Sequence, residues 1–204
     1  MIDLFSNLES EKSQKIKEGI VPDLIFIENY ISDIIHDKLI IEIDKNIWSD
    51  ELRRRVQHYG YKYNYKARSI NHNMKVEDLP SWATEIGNKL YKDGYFEFPP
   101  DQLIVNEYFA GQGIADHIDC EPCFEDTIIS ISLGSYTTMN FTHKSSKEKI
   151  PVILPPKSAV ILKGESRFNW LHGIPARKSD KINGIKKERE RRISLTFRRV
   201  ILQN

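Results

Sequence analysis

Two cysteines in 204 residues, Cys120 and Cys123, are too few for the disulfide framework of a small secreted domain. No apolar run approaches the roughly 20 residues of a membrane span. Charge of either sign is not in excess: 30 Lys and Arg face 29 Asp and Glu, a formal net charge of +1. No global field therefore draws the chain to nucleic acid or membrane, and any polyanion site has to be a local patch. Met1-Ile2-Asp3-Leu4 lacks the basic-then-apolar pattern of a signal peptide. No internal repeat or low-complexity linker divides the sequence. The expectation is a soluble intracellular monomer, cytoplasmic or nuclear and free of membrane. Residues 1–20 read as a flexible, charged N-terminal segment, and 21–204 as one domain long enough to bury a core.

What is present reads as a few helices followed by many strands. Val21-Pro22-Asp23 is a breaker, and Leu24-Ile25-Phe26-Ile27 a short strand. Ser32 or Asp33 can cap a helix running to about Asn46, with Ile34, Ile35, Leu39 and Ile43 on one side. A second helix is predicted from Pro80 to about Asp93, with Trp82, Ile86 and Leu90 at helical spacing and Gly94 ending it. From Gln102 onward β-prone runs recur: 102–108, 127–133, 136–143, 150–154, 158–162 and 192–201. Short strands without intervening helices imply a mainly β sandwich or barrel of jelly-roll type, with flanking α-helices.

Residues 53–68 are unusual. Arg53, Arg54, Arg55, Lys62, Lys66 and Arg68 supply six cations and no acid. Tyr59, Tyr61, Tyr63 and Tyr65 alternate, so an extended strand would line four rings on one face. The rings either pack as one face of a sheet or belong to a lid over a nucleic-acid substrate, stacking on bases while cations meet phosphates. On the second reading, 53–80 is a substrate lid, and Arg54, Tyr59, Tyr61 and Lys62 are its substrate-binding residues.

The chemistry concentrates elsewhere. In His117-Ile-Asp119, period two points both side chains the same way on a strand. His172, in Trp170-Leu171-His172-Gly173-Ile174-Pro175, is the best third partner; Gly173 permits close backbone approach. His143 competes, because it also ends a strand. Two histidines and a carboxylate with open positions form the facial triad of non-haem Fe(II) oxygenases. The last strand then puts Arg192, Ser194, Thr196 and Arg198 on one face and Ile193, Leu195 and Phe197 on the other. Two arginines facing the interior of a small barrel are costly without anions. A dicarboxylate would supply them, gripped bidentately. Asn106 and Tyr108 share a face and can hydrogen-bond the same anion. The alternative is a solvated basic edge strand, since Arg191 and Arg199 are basic too. Cys120 and Cys123 read as ordinary reduced thiols.

In order, Asn106-x-Tyr108, His117-x-Asp119, His172 and Arg192-x5-Arg198 resemble the AlkB family of Fe(II)- and 2-oxoglutarate-dependent dioxygenases. Residues 54–61, Phe124-Glu125-Asp126, Gly164-Glu165-Ser166-Arg167 and Trp170-x-His172-Gly173-Ile174 resemble the branch that includes the tRNA wobble-uridine hydroxylase. The resemblance implies a double-stranded β-helix, with His117, Asp119 and His172 on iron. It implies Arg192, Asn106 and Tyr108 on the distal carboxylate of 2-oxoglutarate and Arg198 near its other end. Ser194, beside them, stands where the bacterial enzyme type has Asn. It also implies that O₂ and 2-oxoglutarate are consumed, giving succinate and CO₂ as a substrate C–H bond is oxidised. The substrate expected is an alkylated or modified base in DNA or RNA. The rival readings are a protein or small-molecule hydroxylase of the same fold and a non-catalytic nucleic-acid-binding module.

Overall fold

In a computed structural model, which describes residues 15–64 and 69–202, the first feature is an edge strand. β1 (Lys15–Glu18) pairs antiparallel with β2 (Leu24–Glu28). The expected flexible segment thus ends in a strand, and its residues 1–14 lie outside the described residues. Helix α1 (Asp33–Asp44) follows, capped by Ser32 Oγ, which accepts from the Ile35 amide. Next come β3 (Val56–Tyr59), one 3-10 turn (His72–Met74) and α2 (Ser81–Lys92).

From there the chain is almost all strand. β4 (Gln102–Tyr108), β5 (Ile114–His117), β6 (Phe124–Gly134), β7 (Thr137–His143), β8 (Lys149–Leu154) and β9 (Ala159–Leu162) precede a short helix, α3 (Gly164–Phe168). β10 (Trp170–Ile174), the hairpin of β11 (Ser179–Ile182) and β12 (Ile185–Glu188), and β13 (Arg192–Val200) complete it. The hairpin was not predicted. Its lysine-rich strands hide the alternation, although its Asn183-Gly184 tip is what a two-residue turn favours.

Two antiparallel sheets form the jelly roll. The larger runs β1-β2-β9-β6-β13-β4-β3, the smaller β5-β10-β7-β8. One face of the large sheet carries α1 and α2: Ile193, Leu195 and Phe197 of β13 join Ile35, Leu39 and Ile43 of α1 and Trp82, Ile86 and Leu90 of α2 in one core. Ile34, assigned by periodicity to the apolar side of α1, is instead exposed. The other face meets the small sheet, where Phe124, Ile128, Val160 and Leu162 pack with Phe141, Trp170 and Ile174. The cavity of the molecule opens within this second layer. Among the described residues, no helix is long and apolar enough to cross a membrane.

The tyrosine-rich stretch does not form one long strand. β3 stops at Gly60, whose φ is +76° and where a Cβ would sit 1.8 Å from the Asp101 carbonyl oxygen. Only glycine fits that turn. Beyond it the chain doubles back on itself: the Gly60 and Lys62 amides donate to Glu77 and Met74 carbonyls, and Val76 donates to Gly60. The rings of Tyr59, Tyr61 and Tyr63 therefore part company. Tyr59 is buried edge-on against Trp82 in the helix-side core, its hydroxyl donating to Gln57. Tyr63 packs on Phe124 at the cavity. Tyr65, Lys66 and Arg68 lie outside the described residues.

Tyr59→Ala is expected to cost about 3 kcal/mol of stability in urea unfolding, the usual toll of emptying an aromatic core site. Tyr59→Phe, which loses one hydrogen bond, should cost about 1 kcal/mol. A Tyr59→Ala protein of parental stability but weakened oligonucleotide binding would return this ring to the substrate surface.

Candidate active site

The site is assembled by register. β5 and β10 pair with His117 directly opposite His172, and their ring centroids lie 4.4 Å apart. Gly173 makes the approach possible: a Cβ there would meet Asp116 Oδ1 at 2.3 Å and its backbone nitrogen at 2.8 Å. Asp119 arrives by another route than strand periodicity, since β5 ends at His117. The loop that carries it is held by buried Arg167 of α3, whose guanidinium donates to the Asp119 and Cys120 carbonyls at 2.9 and 3.3 Å. Arg167 belongs to a motif legible in the sequence, but nothing there gave it a task.

These three side chains border a cavity of about 740 Å³ whose walls also include Asn106, Tyr108, Ser194, Thr196 and Arg198. Its size is ordinary for a small-molecule site. His143, the competing histidine, turns away: its ring packs on Trp170 and its Nδ1 meets Ser146 Oγ.

His117 Nδ1 faces the Ala115 carbonyl at 2.9 Å, and a carbonyl only accepts, so Nδ1 donates and Nε2 is the ring nitrogen left for another partner. Burial, then neighbouring His117, push His172 down to about 3. Its contact with Asp119, 3.8 Å from Nε2 to Oδ2, therefore joins a neutral ring to a carboxylate and is not a salt bridge. Burial would raise the Asp119 carboxyl, but Arg198, His172 and His117 outweigh it and hold it well below the usual carboxylate range. Arg198 donates to Asp119 Oδ1 at 2.7 Å and leaves Oδ2 free. Among the described residues no three such side chains converge into a ready-made metal cage, and these form a looser, open set.

Buried hydrogen-bonding atoms without partners mark where something is missing. Five of the seven among the described residues belong to this site: Asp119 Oδ2, His172 Nδ1, Arg192 Nε and Nη1, and Arg198 Nε. Arg192 is the extreme case. Only 2% exposed, it donates to Ser132 Oγ and stacks over Tyr108, with no carboxylate among the described residues paired with it. Burial lowers its guanidinium to about 10, still cationic at neutral pH. The solvated-edge reading of β13 fails on this residue. Arg191 and Arg199, on the opposite face, are matched by Asp44 with Glu107 and by Asp101 with Glu125.

The expected substrate residues scatter. Tyr59 is core, and Lys62 is an exposed partner of Glu51. Tyr61 lines a small groove with Lys75 and Leu79 away from the main cavity. Arg54 does reach the cavity, but its Nε donates to Asn106 Oδ1 at 2.7 Å. Cys120 and Cys123, expected as free thiols, are joined as a disulfide directly after Asp119. The loop brings their Cα atoms to 5.3 Å, a spacing a disulfide spans.

The sequence matches the 2OG-Fe(II) oxygenase superfamily over residues 44–198. It is 38% identical over 176 residues to the uncharacterized protein L905 of Acanthamoeba polyphaga mimivirus, covering 86% of this chain and 83% of that protein. It is 37% identical over 173 residues to the mouse tRNA (carboxymethyluridine(34)-5-O)-methyltransferase ALKBH8, covering 81% of this chain but only 26% of the mouse protein. Among solved structures, OsALKBH1 superposes with a TM-score of 0.67 at 16% identity, over 91% of this chain and all of that one, a likeness of fold.

A buried cation without a counter-charge weakens the ligand-free protein. Arg192→Met is accordingly expected to leave the ligand-free protein at least as stable as the parent in urea unfolding. A loss above about 1 kcal/mol would mean that Arg192 is retained for packing.

Proposed function

The chain belongs to the 2OG-Fe(II) oxygenase superfamily, in its AlkB-like branch, and from that premise we propose that it oxidises an alkylated or modified base in DNA or RNA. It is thus a dioxygenase of the oxidoreductase class, and the family implies Fe(II), 2-oxoglutarate and O₂. The observation that carries the assignment of residues is the clustering of unsatisfied buried atoms. At one end, beside His117, the His172 imidazole kept neutral by burial and an Asp119 carboxylate oxygen have lone pairs to give; at the other, Arg192 has donors and charge to give. A divalent cation fits the first and a carboxylate the second.

His117, Asp119 and His172 are the residues that would hold the iron, leaving positions open toward the cavity. Arg192, with Asn106 and Tyr108, would grip the distal carboxylate of 2-oxoglutarate, with Ser194 beside them and Arg198 near the other end. Iron bound there with 2-oxoglutarate and O₂ supplies oxidation of a substrate C–H bond, the cosubstrate leaving as succinate and CO₂. The chain's own part is positioning. Arg198 fixes one oxygen of Asp119 and so aims the other. Arg167 holds the Asp119 loop. Ile114, Met139, Leu171 and Ile174 line the cavity with apolar surface and limit water.

The substrate class is supported by the tRNA-modifying name of the mouse relative, from which the methyl transfer is not carried over. A base in a duplex reaches the cavity only when flipped from the stack. Oxidation of an N-methyl group releases formaldehyde and the bare base; oxidation at a carbon substituent stops at the alcohol.

The test is a panel of methylated single- and double-stranded DNA, RNA and tRNA, incubated with Fe(II) and 2-oxoglutarate. One class of nucleic acid should lose a methyl group or gain one oxygen, with matching succinate. Succinate stimulated by peptides or small molecules alone would move the substrate out of nucleic acid. Asp119→Ala should keep the parental circular dichroism, lose the absorption bands of bound Co(II) and form no succinate. Normal turnover by that variant would refute the metal assignment.

A further inference from the structure

Arg54 and Arg55 sit next to each other at the root of the lid, yet they serve opposite faces of the large sheet. The Glu107 amide bonds the Arg55 carbonyl, and Val56 lies opposite Asn106. Period two then sends neighbouring side chains to opposite sides. Arg55 takes the fully buried Glu107 carboxylate with two nitrogens, at 2.5 and 2.9 Å. Arg54 goes to the cavity side, where no carboxylate among the described residues pairs with it. It meets Asn106 Oδ1 instead, and its guanidinium carbon lies 5.7 Å from the Tyr108 ring centroid. Arg192 lies 5.6 Å from the same centroid.

A side-chain amide has one accepting end and one donating end. With the oxygen of buried Asn106 held by a cation, its NH₂ group is the end left for the cavity. A flipped amide would set donors against the Arg54 Nε–H and forfeit a charge-assisted bond. An anion needs donors, so this orientation decides whether Asn106 helps or opposes a carboxylate.

We propose that Arg54 is a positioning residue for the cosubstrate: it fixes the Asn106 amide with its NH₂ toward the distal carboxylate of 2-oxoglutarate and, through its place at the root of the lid, ties that segment to cosubstrate binding. The proposal rests on the cosubstrate reading given above. It replaces the expectation that Arg54 contacts nucleic-acid phosphate.

The experiment is titration of 2-oxoglutarate into Mn(II)-loaded protein without O₂, for Arg54→Ala, Arg54→Lys, Arg54→Met, Asn106→Ala, the Arg54→Ala/Asn106→Ala double variant and Arg192→Ala, each first checked by thermal melting. Arg54→Ala should raise the Kd on the order of tenfold. The double variant should be no worse than Asn106→Ala, because Arg54 acts through that amide. Arg54→Lys, which keeps a charged donor, should stay within about threefold of the parent, and Arg54→Met, which keeps the stem and loses the donors, should weaken binding as Arg54→Ala does and shows the effect even if the alanine variant does not fold. In steady state the change should fall on the KM for 2-oxoglutarate rather than on kcat. An unchanged Kd in Arg54→Ala beside a weakened Arg192→Ala overturns the proposal and leaves the cosubstrate reading standing. Fully additive losses also overturn it, since Arg54 would then touch the ligand itself. Unchanged binding in Arg192→Ala removes the cosubstrate reading and this inference together.

Discussion

The register of β13 between β4 and β6 is the constraint on which the site depends. Arg192 lies opposite Tyr108 and Gly134, Ser194 opposite Asn106 and Ser132, and Arg198 opposite Gln102 and Ile128. Because side chains alternate, this single alignment sends Ser194, Thr196 and Arg198 to the cavity wall, puts Arg192 on the same face against the Tyr108 ring, and sends Ile193, Leu195 and Phe197 into the core against the helices. A slip by one residue would bury the arginines among α1 and α2 and turn the apolar side chains toward the cavity. The hydrophobic core and the cavity wall are therefore specified together. Arg191 and Arg199 strengthen the choice, since their carboxylate partners stand only on the outer face.

The rest of the site adds charges that the fold alone would not select. Arg192 and Asp119 are both buried, one with no ionic partner among the described residues and the other with one oxygen left over. Both cost stability in the ligand-free protein, and whatever binds there would return it. The supporting contacts are of the ordinary kind. The Arg167 guanidinium on two carbonyls, the close passage of Gly173 past Asp116, and the Ser130–Ser194 hydroxyl pair at 2.8 Å hold the side chains around the cavity in place.

Much of this was legible in the sequence because it rests on period two. The faces of β13, the Asn106-x-Tyr108 pair and the jelly-roll class follow from alternation within single strands. The choice of His172 over His143 came from the setting of His172, beside a glycine that lets two backbones meet. What failed were features that depend on contacts far along the chain. Four alternating tyrosines describe a strand only if the backbone stays extended, and the Asp101 carbonyl at the Gly60 turn ends it. Tyr59 was lost to the core in this way. Arg54 looked like a surface cation because its partner, Asn106, lies 52 residues away. Asp119 lies beside His117 and His172 at the cavity, but not by strand periodicity: a loop held by Arg167 puts it there, past the end of the strand. The disulfide and the lysine-rich hairpin left no periodic trace.

The Gly60 turn also divides the molecule into parts that can diverge at different rates. On its N-terminal side, β3 is bonded into the large sheet, and Arg55 is clamped to Glu107. On its other side, the described residues of 61–79 return to the scaffold through backbone bonds, isolated bridges and a few side-chain anchors, Tyr63 on Phe124 and buried Ile70 among them. The residue between them is barred from change twice, by its dihedral angle and by the oxygen where its side chain would be. Loops tolerate new lengths and new chemistry where scaffolds do not. A lineage built on this fold can thus vary the part of the excursion that faces solvent, while Tyr63 at the cavity and Ile70 in the core keep the rest of it tied to the scaffold.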